Sequence, residues 1–353
     1  MRYRFEFRRY RLPFRFAIRT AHGPWDVREG VILRLTDAME GGGGAVGFGE
    51  AAPIPWFGTE TVDEVETECL AIGEWVGEER LQSVPPRLRC FRNAIRAARS
   101  AIVSGIDQAS PVKPAGPEYL AVAALLPAGR EVLAQIPPKA EMGFRIFKWK
   151  VGVGDIADEL ALVDDVCAAL PSGAKLRLDA NGAWDRRAAE RWLERCAAWP
   201  VEFMEQPVGA SAPDGIPPRK EMDLLLGLAA DYPTPIALDE SLVADGDIER
   251  WLGAGWPGVF VVKPSLLADV PEAMARLRHA GADVVFSSAL ETAVGARVAL
   301  QAAFSWQGEA RAIGFGVWPL FADQRCDGPA AAPFIRRCDV GRINPETVWS
   351  ALS

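Results

Sequence analysis

The 353-residue sequence has only two histidines, His22 and His279, and its cysteines form no Cys-x-x-Cys pair. Zinc sites are mostly built from such residues, so a histidine-built zinc site is close to excluded and any metal should have oxygen ligands. Scattered cysteines in a chain of this length indicate reduced, mostly buried thiols. The six are Cys69, Cys90, Cys167, Cys196, Cys326 and Cys338.

The chain also lacks an excess of positive charge and a long apolar segment. Its formal net charge is −8, which argues against a surface that binds nucleic acid. No apolar run approaches the roughly 20 residues that a membrane helix needs. The stretch Met1–Phe5 alternates basic and aromatic residues instead of forming the apolar core of a signal peptide. We therefore expect a cytoplasmic protein without nucleic-acid or membrane partners; nothing in the sequence indicates its oligomeric state.

Residues 1–50 alternate apolar and polar side chains, as strands do, and helical spacing follows from Thr61 onward and over residues 92–106. The glycine run 41–44 lacks the lysine and hydroxyl residue of a phosphate-binding loop, which favours a hairpin tip. We predict a small α+β capping domain over residues 1–110, followed by a linker at 110–114. The alternation is clearest at Tyr3, Phe5, Phe7, Val31, Leu33 and Leu35.

From Tyr119 the pattern changes to short apolar strands alternating with amphipathic helices, which is typical of a parallel sheet. Eight strands are predicted, the number that a closed barrel requires. We therefore predict an α/β fold with a (β/α)8-type, TIM-like barrel over residues 111–320, and a segment 321–353 that packs back on the capping domain. The predicted strands are 119–125, 144–150, 175–179, 201–205, 235–239, 258–263, 283–287 and 311–315.

Acidic residues end three consecutive predicted strands, at Asp179, Glu205 and Asp239. The carboxyl ends of barrel strands meet at one mouth, where barrel enzymes have their active sites, so these side chains should converge. Three carboxylates without a cation would repel one another, and Mg²⁺ prefers carboxylate oxygens. We predict a Mg²⁺ site, with Mn²⁺ as the alternative metal. The competing interpretation is that each acid acts separately, for example as a helix cap.

Lysines lie at two other strand ends. Lys148 and Lys150 are two residues apart and face the same way, while Trp149 faces the helix layer. Lys263 ends the sixth strand, where burial of a lysine is costly unless it has a partner or a role. Two ammonium groups that point into a barrel lower each other's pKa, which helps one act as a base. Lysines beside a metal suit removal of a proton α to a carboxylate, with the metal stabilising the enediolate.

These positions together resemble the enolase superfamily, in the muconate-cycloisomerase-like subgroup with Lys-x-Lys on strand two and a lysine on strand six. The resemblance covers nearly the whole chain. It implies that the three acids bind Mg²⁺, that Lys150 and Lys263 are the acid–base pair, and that Lys148 tunes Lys150 and touches the substrate carboxylate. Strand seven, Val284–Ser288, lacks the histidine that the mandelate racemase branch has there.

Within the subgroup the chain is most similar to the o-succinylbenzoate synthase family. That family dehydrates 2-succinyl-6-hydroxy-2,4-cyclohexadiene-1-carboxylate on the route to menaquinone or phylloquinone, so the resemblance implies a small anionic substrate. It also implies that Lys150 takes the α-proton and returns it to the departing hydroxyl, with Lys263 as an electrostatic partner. The resembling stretches are Thr20–Gly23, Arg28–Gly30, Gly47–Pro53, Leu176–Asn181 and Ser287–Glu291.

Several further side chains are candidates for substrate contact. Arg177 shares the inward face of Asp179, where it either meets an anionic substrate or forms a buried pair with a barrel acid. Asn181 is a candidate for direct or supporting contact. Glu240 should face away from Asp239 and support the site from behind.

The ends of the last two strands offer a further docking position. Ser287, Ser288 and Gly314 are candidates for binding a second substrate carboxylate, with simple loop capping as the alternative. His22 is expected to be a loop residue. Other functions stay open at this point: an N-succinylamino acid racemase or a cycloisomerase of the same subgroup, and, more remotely, a non-catalytic barrel that binds a ligand.

Overall fold

The computed structural model describes residues 2–20, 23–38, 44–107, 116–209 and 218–352. His22, glycines 41–43 and the proposed linker at 110–114 lie outside these ranges, and so does the predicted domain boundary at residue 110. What the sequence predicts at those positions therefore stays a prediction.

The N-terminal part contains a four-stranded antiparallel sheet. Its strands are β1 (Arg2–Thr20), β2 (Gly23–Asp37), β3 (Val46–Ala51) and β4 (Trp75–Gly77). They lie in the order β3-β2-β1-β4. Phe5 pairs with Leu35 and Phe7 with Leu33, and the apolar side chains of this face are buried or partly buried. The predicted alternation is confirmed.

Three helices accompany this sheet: α1 (Val62–Ile72), α2 (Glu78–Gln82) and α3 (Arg89–Asp107). Helix α1 begins where the Thr61 side chain accepts a hydrogen bond from the Glu64 backbone while the Glu64 side chain binds the Thr61 N–H. Helix α3 packs directly on β3. A Cβ atom added to Gly49 would lie 1.9 Å from the carbonyl oxygen of Ala94, so this close approach requires glycine.

We expect Gly49→Ala to lower the free energy of unfolding by about 1–3 kcal/mol, because the added methyl group overpacks the contact between α3 and β3. Gly227→Ala is the matched control. It lies in the helix Pro218–Asp231, and a Cβ atom there meets nothing within 4 Å, so alanine should stabilise that helix by up to about 1 kcal/mol. Urea unfolding of both variants measures the difference; effects of the same sign would contradict the packing argument.

The C-terminal part is built on a parallel sheet that curls into a barrel. In sheet order its seven strands run β12-β11-β10-β9-β8-β7-β6, and β5 pairs with β13 in a separate antiparallel ribbon. The strands are β5 (Tyr119–Ala121), β6 (Ala124–Leu126), β7 (Ile146–Lys150), β8 (Lys175–Asp179), β9 (Val201–Glu205), β10 (Ile236–Leu238), β11 (Val259–Val262), β12 (Asp283–Phe286) and β13 (Phe334–Arg336).

The first predicted barrel strand, 119–125, is divided in the structure. Its first half, β5, leaves the barrel and pairs antiparallel with β13, and only β6 lies beside β7 in the parallel sheet. A continuous strand was therefore the wrong prediction here. The pairing partner of β5 comes from more than 200 residues further along the chain, where local sequence gives no sign of it.

The eighth predicted strand, 311–315, is also not a continuous strand. Ile313 makes an isolated bridge to Val122, and Gly314 makes one to Ser287. A Cβ atom on Gly314 would lie 2.7 Å from the Ser287 hydroxyl, and the chain turns away immediately afterwards. The two bridges link the edges of the seven-stranded sheet, so the predicted barrel architecture holds. The eighth strand itself does not form regular pairs.

Helices follow the barrel strands and form its outer layer. Five of the helices in the C-terminal part begin at a side chain that accepts hydrogen bonds from the first backbone N–H groups: Asp155, Asp185, Asp269, Thr292 and Asn344. The helices are α4 (Glu131–Glu141), α5 (Ile156–Ala169), α6 (Arg186–Cys196), α7 (Pro218–Asp231), α8 (Asp245–Gly253), α9 (Val270–His279), α10 (Ala293–Ser305), α11 (Arg337–Gly341) and α12 (Pro345–Ala351).

Alternation along the strands separates the barrel interior from the helix layer. Trp149 is fully buried against Trp192 of α6, with ring centroids 6.2 Å apart, as predicted. An apolar cluster that includes Phe203, Val261 and Val285 fills the interior. The charged residues at the strand ends lie above this apolar cluster.

The C-terminal segment contacts β1. The backbone N–H of Arg15 donates to Leu320 at 2.9 Å, and that of Ala322 donates to Pro13 at 3.0 Å. The guanidinium of Arg8 stacks over the Trp349 ring at 4.3 Å. Across the part of the chain that the structure describes, no helix combines the length and apolar character needed to cross a bilayer.

Candidate active site

A cavity of about 400 Å³ lies between the N-terminal part and the carboxyl ends of the barrel strands. The barrel supplies its charged lining, and the N-terminal part supplies apolar walls. The charged residues are Lys148, Lys150, Asp179, Asp239, Glu240 and Lys263, and the apolar ones from the N-terminal part are Ile18, Trp25, Ile54, Trp56 and Phe57. Such a cavity suits a small molecule with both charged and apolar groups.

Strand register brings Asp179 and Glu205 to one level of the barrel mouth, and Asp239 follows two residues further along its own segment. Asp179 pairs with Lys150 on one side and with Glu205 on the other. Glu205 pairs in turn with Ala237, two residues before Asp239. The three acids are only 8%, 2% and 5% exposed, in chain order. The predicted convergence is therefore present.

Lys148 lies among these acids, with its Nζ atom 2.8 Å from Asp179 Oδ2 and 2.7 Å from Glu205 Oε1. Burial opposes its charge, but the carboxylates outweigh burial and raise the pKa of Lys148. The predicted lowering of lysine pKa values is therefore wrong for Lys148. Burial and the charge of Asp179 raise the pKa of Glu205, whereas Lys148 overcomes burial and lowers the pKa of Asp179.

Lys263 reaches the mouth from the end of β11 and forms an ion pair with Asp239. Burial opposes its charge, yet the carboxylates of Asp239 and Glu240 raise the pKa of Lys263. Its Nζ atom also lies 4.7 Å from the ring centroid of Phe57, which belongs to the short 3-10 helix Pro55–Phe57. The N-terminal part therefore contacts one of the two proposed acid–base lysines directly.

The donor chemistry of the acid cluster suits a divalent cation. As the side chains stand, no group of three His, Cys, Asp or Glu residues within the described ranges is arranged to hold a metal, because lysine ammonium groups lie against all three acids. The Lys148 ammonium bridges Asp179 and Glu205 and is itself a cation standing between two carboxylates. The donors are all carboxylate oxygens, which suits Mg²⁺.

Asn181 and Glu240 line the cavity together, and Asn181 Nδ2 donates to Glu240 Oε1 at 2.9 Å. The prediction that Glu240 faces away from Asp239 is wrong, since both residues line the cavity; β10 ends at Leu238, and strand alternation stops there. Burial and the nearby charge of Asp239 raise the pKa of Glu240 to about 8. Among the residues that the structure describes, Asn181 Oδ1 and Glu240 Oε2 are buried without a hydrogen-bond partner, so both atoms are available to a bound molecule.

Gln206 is a residue to which the sequence assigned no role. Its side-chain Oε1 accepts hydrogen bonds from the Asp239 N–H at 3.0 Å and from the Ser241 N–H at 3.3 Å. Its Nε2 donates to Ser241 Oγ at 2.6 Å and to Glu221 Oε1 at 3.0 Å. Gln206 therefore fixes the backbone that presents Asp239. A buried amide directly after the acid that ends β9 was the available signal.

Arg177 takes the second of its two predicted alternatives, the buried pair. Its Nε donates to Glu202 Oε2 at 2.7 Å, and its Nη1 donates to the carbonyl oxygen of Ala312 at 2.7 Å. Burial of Glu202 is outweighed by Arg177 and Arg311, which lower the pKa of Glu202. Arg177 is 1% exposed and pairs in register with Lys148, one layer below the acids, so the predicted substrate contact is wrong.

Ser287, Ser288 and Gly314 also line the cavity. The Ser288 hydroxyl accepts a hydrogen bond from the Leu290 N–H at 2.9 Å and donates to Glu291 Oε1 at 3.1 Å. Burial raises the pKa of Glu291 to about 7. Ser288 thus caps the loop as the alternative prediction held, and its position on the cavity leaves the predicted substrate contact standing as a prediction.

The N-terminal sheet is joined to the barrel through Glu50 of β3. Its carboxylate accepts hydrogen bonds from the N–H groups of Thr292 at 2.9 Å and Gly295 at 2.8 Å, and from the Tyr10 hydroxyl at 2.6 Å. Glu50 therefore caps α10 from another part of the chain. Two of the stretches singled out in the sequence, Gly47–Pro53 and Ser287–Glu291, lie next to each other at this junction.

Comparison with known proteins agrees with this geometry. Residues 131–332 match the family model described as enolase C-terminal domain-like. An o-succinylbenzoate synthase from Thermosynechococcus vestitus is 36% identical over 320 residues, which cover 89% of this chain and 92% of that protein.

Solved structures are similar over the whole chain. The o-succinylbenzoate synthase from Thermosynechococcus elongatus BP-1, complexed with Mg in its active site, has a TM-score of 0.78 and 33% identity and covers 99% of both chains. An N-succinyl Arg/Lys racemase from Bacillus cereus has a TM-score of 0.82 at 17% identity, covering 99% of this chain and 98% of that one. At that identity the second likeness shows the fold alone.

Proposed function

The chain belongs to the enolase superfamily and, within it, to the o-succinylbenzoate synthase family, and we propose that it catalyses the reaction that gives this family its name. It is a lyase that removes water from 2-succinyl-6-hydroxy-2,4-cyclohexadiene-1-carboxylate to form o-succinylbenzoate. Identity of 33–36% over nearly the whole chain supports this activity beyond the shared fold.

One observation of the site supports the proposal most strongly: Lys150 and Lys263 line a single cavity together with Asp179 and Asp239. Lys150 ends β7 and Lys263 follows β11, four places away in the sheet. A substrate carboxylate held by a cation at these acids would therefore have a lysine on either side of its α-carbon. Removal of an α-proton needs such a base within hydrogen-bond reach.

We assign the base to Lys150. Its amine takes the α-proton, and the electron pair of the broken C–H bond moves toward the substrate carboxylate. The C–O bond to the ring hydroxyl then breaks as a new ring double bond forms, and the lysine proton leaves with the hydroxyl as water. Lys263 provides a positive charge on the other side. One water molecule is lost, and the diene becomes an aromatic ring.

Asp179, Glu205 and Asp239 are the residues that would hold Mg²⁺. A cation bound there supplies positive charge against the negative charge that develops on the substrate carboxylate. Mn²⁺ is the expected substitute, because it also takes carboxylate ligands. Lys148 orients Asp179 and Glu205 through its two ion pairs and lines the cavity where the substrate carboxylate would lie.

The substrate contacts and the cellular setting are part of the same proposal. Asn181, Ser287, Ser288 and Gly314 would contact the substrate, since all four line the cavity. The product would serve menaquinone or phylloquinone synthesis in the cytoplasm. The likeness to the N-succinyl Arg/Lys racemase rests on fold alone, so it does not favour racemisation as a second activity.

An absorbance assay of the purified protein with Mg²⁺ and the cyclohexadiene substrate tests this function. We expect rapid loss of the diene absorbance with formation of o-succinylbenzoate, no turnover with EDTA, and recovery when Mg²⁺ is restored. A folded, Mg²⁺-loaded protein that leaves the diene unchanged would overturn the assignment. N-succinylamino acids would then be the next substrates to test.

A further inference from the structure

Arg28 of β2 is a charged residue with 1% exposure. Its guanidinium donates hydrogen bonds to backbone carbonyl oxygens from three separate segments. Those measured are Pro53 at 2.7 Å, Leu290 at 3.1 Å, Glu29 at 3.2 Å and Ala289 at 3.3 Å, and Ala52 is a further partner. The planar guanidinium group, a fork with five N–H donors, can bind this many acceptors, whereas a lysine ammonium has only three N–H donors.

Each of the three segments forms part of the cavity wall. The guanidinium lies 5.3 Å from the ring centroid of Trp25 in its own strand. Its bonds to residues 52 and 53 hold the start of the turn that presents Ile54 and Phe57, and its bonds to residues 289 and 290 hold the loop after β12. Trp25, Ile54, Phe57, Ala289 and Leu290 all line the cavity.

Leu290 gives the clearest sign that this loop needs external support. Its φ angle is 60°, in the left-handed region that is unfavourable for a residue with a side chain. Such a conformation persists only where the surroundings hold it in place. The Leu290 carbonyl oxygen is held by Arg28, and the Leu290 N–H is held by Ser288 Oγ.

We propose that Arg28 is a positioning residue for substrate binding, which sets how far the walls from the N-terminal part lie from the loop after β12. This inference rests on the proposed function. Arg28 acts through backbone carbonyls and not by contact with the substrate. The acids are carried by barrel strands and make no contact with Arg28, so the effect should fall on binding of the substrate and not on Mg²⁺.

Arg28→Lys tests this role, because the charge is kept while the fork is lost. We expect kcat/KM to fall by about 100-fold, the size of loss that a misplacement of about 1 Å can cause. The loss should fall mainly on KM, because the displaced walls contact the substrate and do not carry the base. The affinity for Mg²⁺ should stay within twofold of the wild-type value. A purely structural role would lower the active fraction, and hence apparent kcat, without moving KM.

Arg96→Met is the matched control. Arg96 of α3 also joins the N-terminal part to the barrel, through an ion pair with Asp269 at 2.5 Å, but this pair is exposed and outside the cavity lining. Its loss should leave KM unchanged. A KM for Arg28→Lys within twofold of wild type, or an equal rise in both variants, would overturn the proposal.

Hydrogen exchange followed by mass spectrometry gives a readout that needs no substrate. Amides of residues 288–292 should exchange at least tenfold faster in Arg28→Lys and at the wild-type rate in Arg96→Met. Unchanged exchange in Arg28→Lys would overturn the positioning role. Failure of the wild-type protein to dehydrate the diene would instead count against the proposed function, and the exchange result would still decide the role of Arg28.

Discussion

Lys150→Arg should lower kcat by on the order of 10³–10⁴-fold while the protein stays folded. Arginine keeps a positive charge at the end of β7, but its pKa is so far above neutral pH that it provides no free base. The register of Lys150 with Asp179 places this side chain beside the acids. Loss of the base therefore removes proton abstraction and leaves the binding of an anionic substrate largely intact.

Lys263→Arg is the comparison that separates the two lysines. As an electrostatic partner, Lys263 needs its charge and not its ability to release a proton, so the loss in kcat should be about 10–100-fold. Initial rates at saturating substrate measure both variants, with circular dichroism and Mg²⁺ binding as checks on folding. If Lys263→Arg is instead the more damaged variant, Lys263 is the base and the assignment is reversed.

The sequence was sufficient to predict which acids meet. From Lys150 to Asp179, Glu205, Asp239 and Lys263 the steps are 29, 26, 34 and 24 residues, about one βα unit each. In a parallel barrel, every strand end lies on the same mouth, so a residue's place in the strand determines its place in the molecule. The register confirms this level for Lys150, Asp179 and Glu205.

The prediction for Arg177 took no account of how far along its strand the residue lies from the barrel mouth. Alternation correctly turned Arg177 inward, but it precedes Asp179 by two residues, and two residues of strand correspond to about 6.6 Å. That distance takes Arg177 out of the cavity and into contact with Glu202. Lys148 starts from the same layer, and only its long side chain brings Nζ up to Asp179.

Local sequence patterns could not predict contacts between segments that are far apart in the chain. The partners of Arg28 include Ala289 and Leu290, more than 260 residues further along the chain. The direction in which the Glu240 side chain points depends on where β10 ends. Strand ends are defined to within only one or two residues, and a single residue decides whether alternation still applies. Sequence periodicity therefore predicted the lysines and acids at the strand ends, whereas the residues that support them could be identified only from the fold.

Glu205→Gln should lower the affinity for Mg²⁺ by on the order of 100-fold or more, because even residues that only support metal ligands cost 10–100-fold when replaced. The variant keeps the size of the side chain and removes one of three negative charges. Isothermal titration with Mg²⁺ measures the affinity directly. Turnover at low Mg²⁺ should be lost in parallel, since substrate charge is stabilised only when the cation is bound.

Glu202→Gln provides the matched control on the same strand. Glu202 is partly buried and pairs with Arg177 and Arg311 below the cavity. Its loss leaves the buried Arg177 without its carboxylate partner, while Arg311 keeps Asp283, so we expect lower stability. A protein that binds Mg²⁺ in its folded state is stabilised by the bound ion, and its melting temperature rises with Mg²⁺ concentration. Thermal unfolding therefore distinguishes a variant that has lost the metal site from one that is only less stable. Glu202→Gln should start from a lower melting temperature and still show the wild-type rise with Mg²⁺, whereas Glu205→Gln should show almost none. A normal rise in Glu205→Gln would mean that the cation is held without Glu205, and the proposed ligand set would then be wrong.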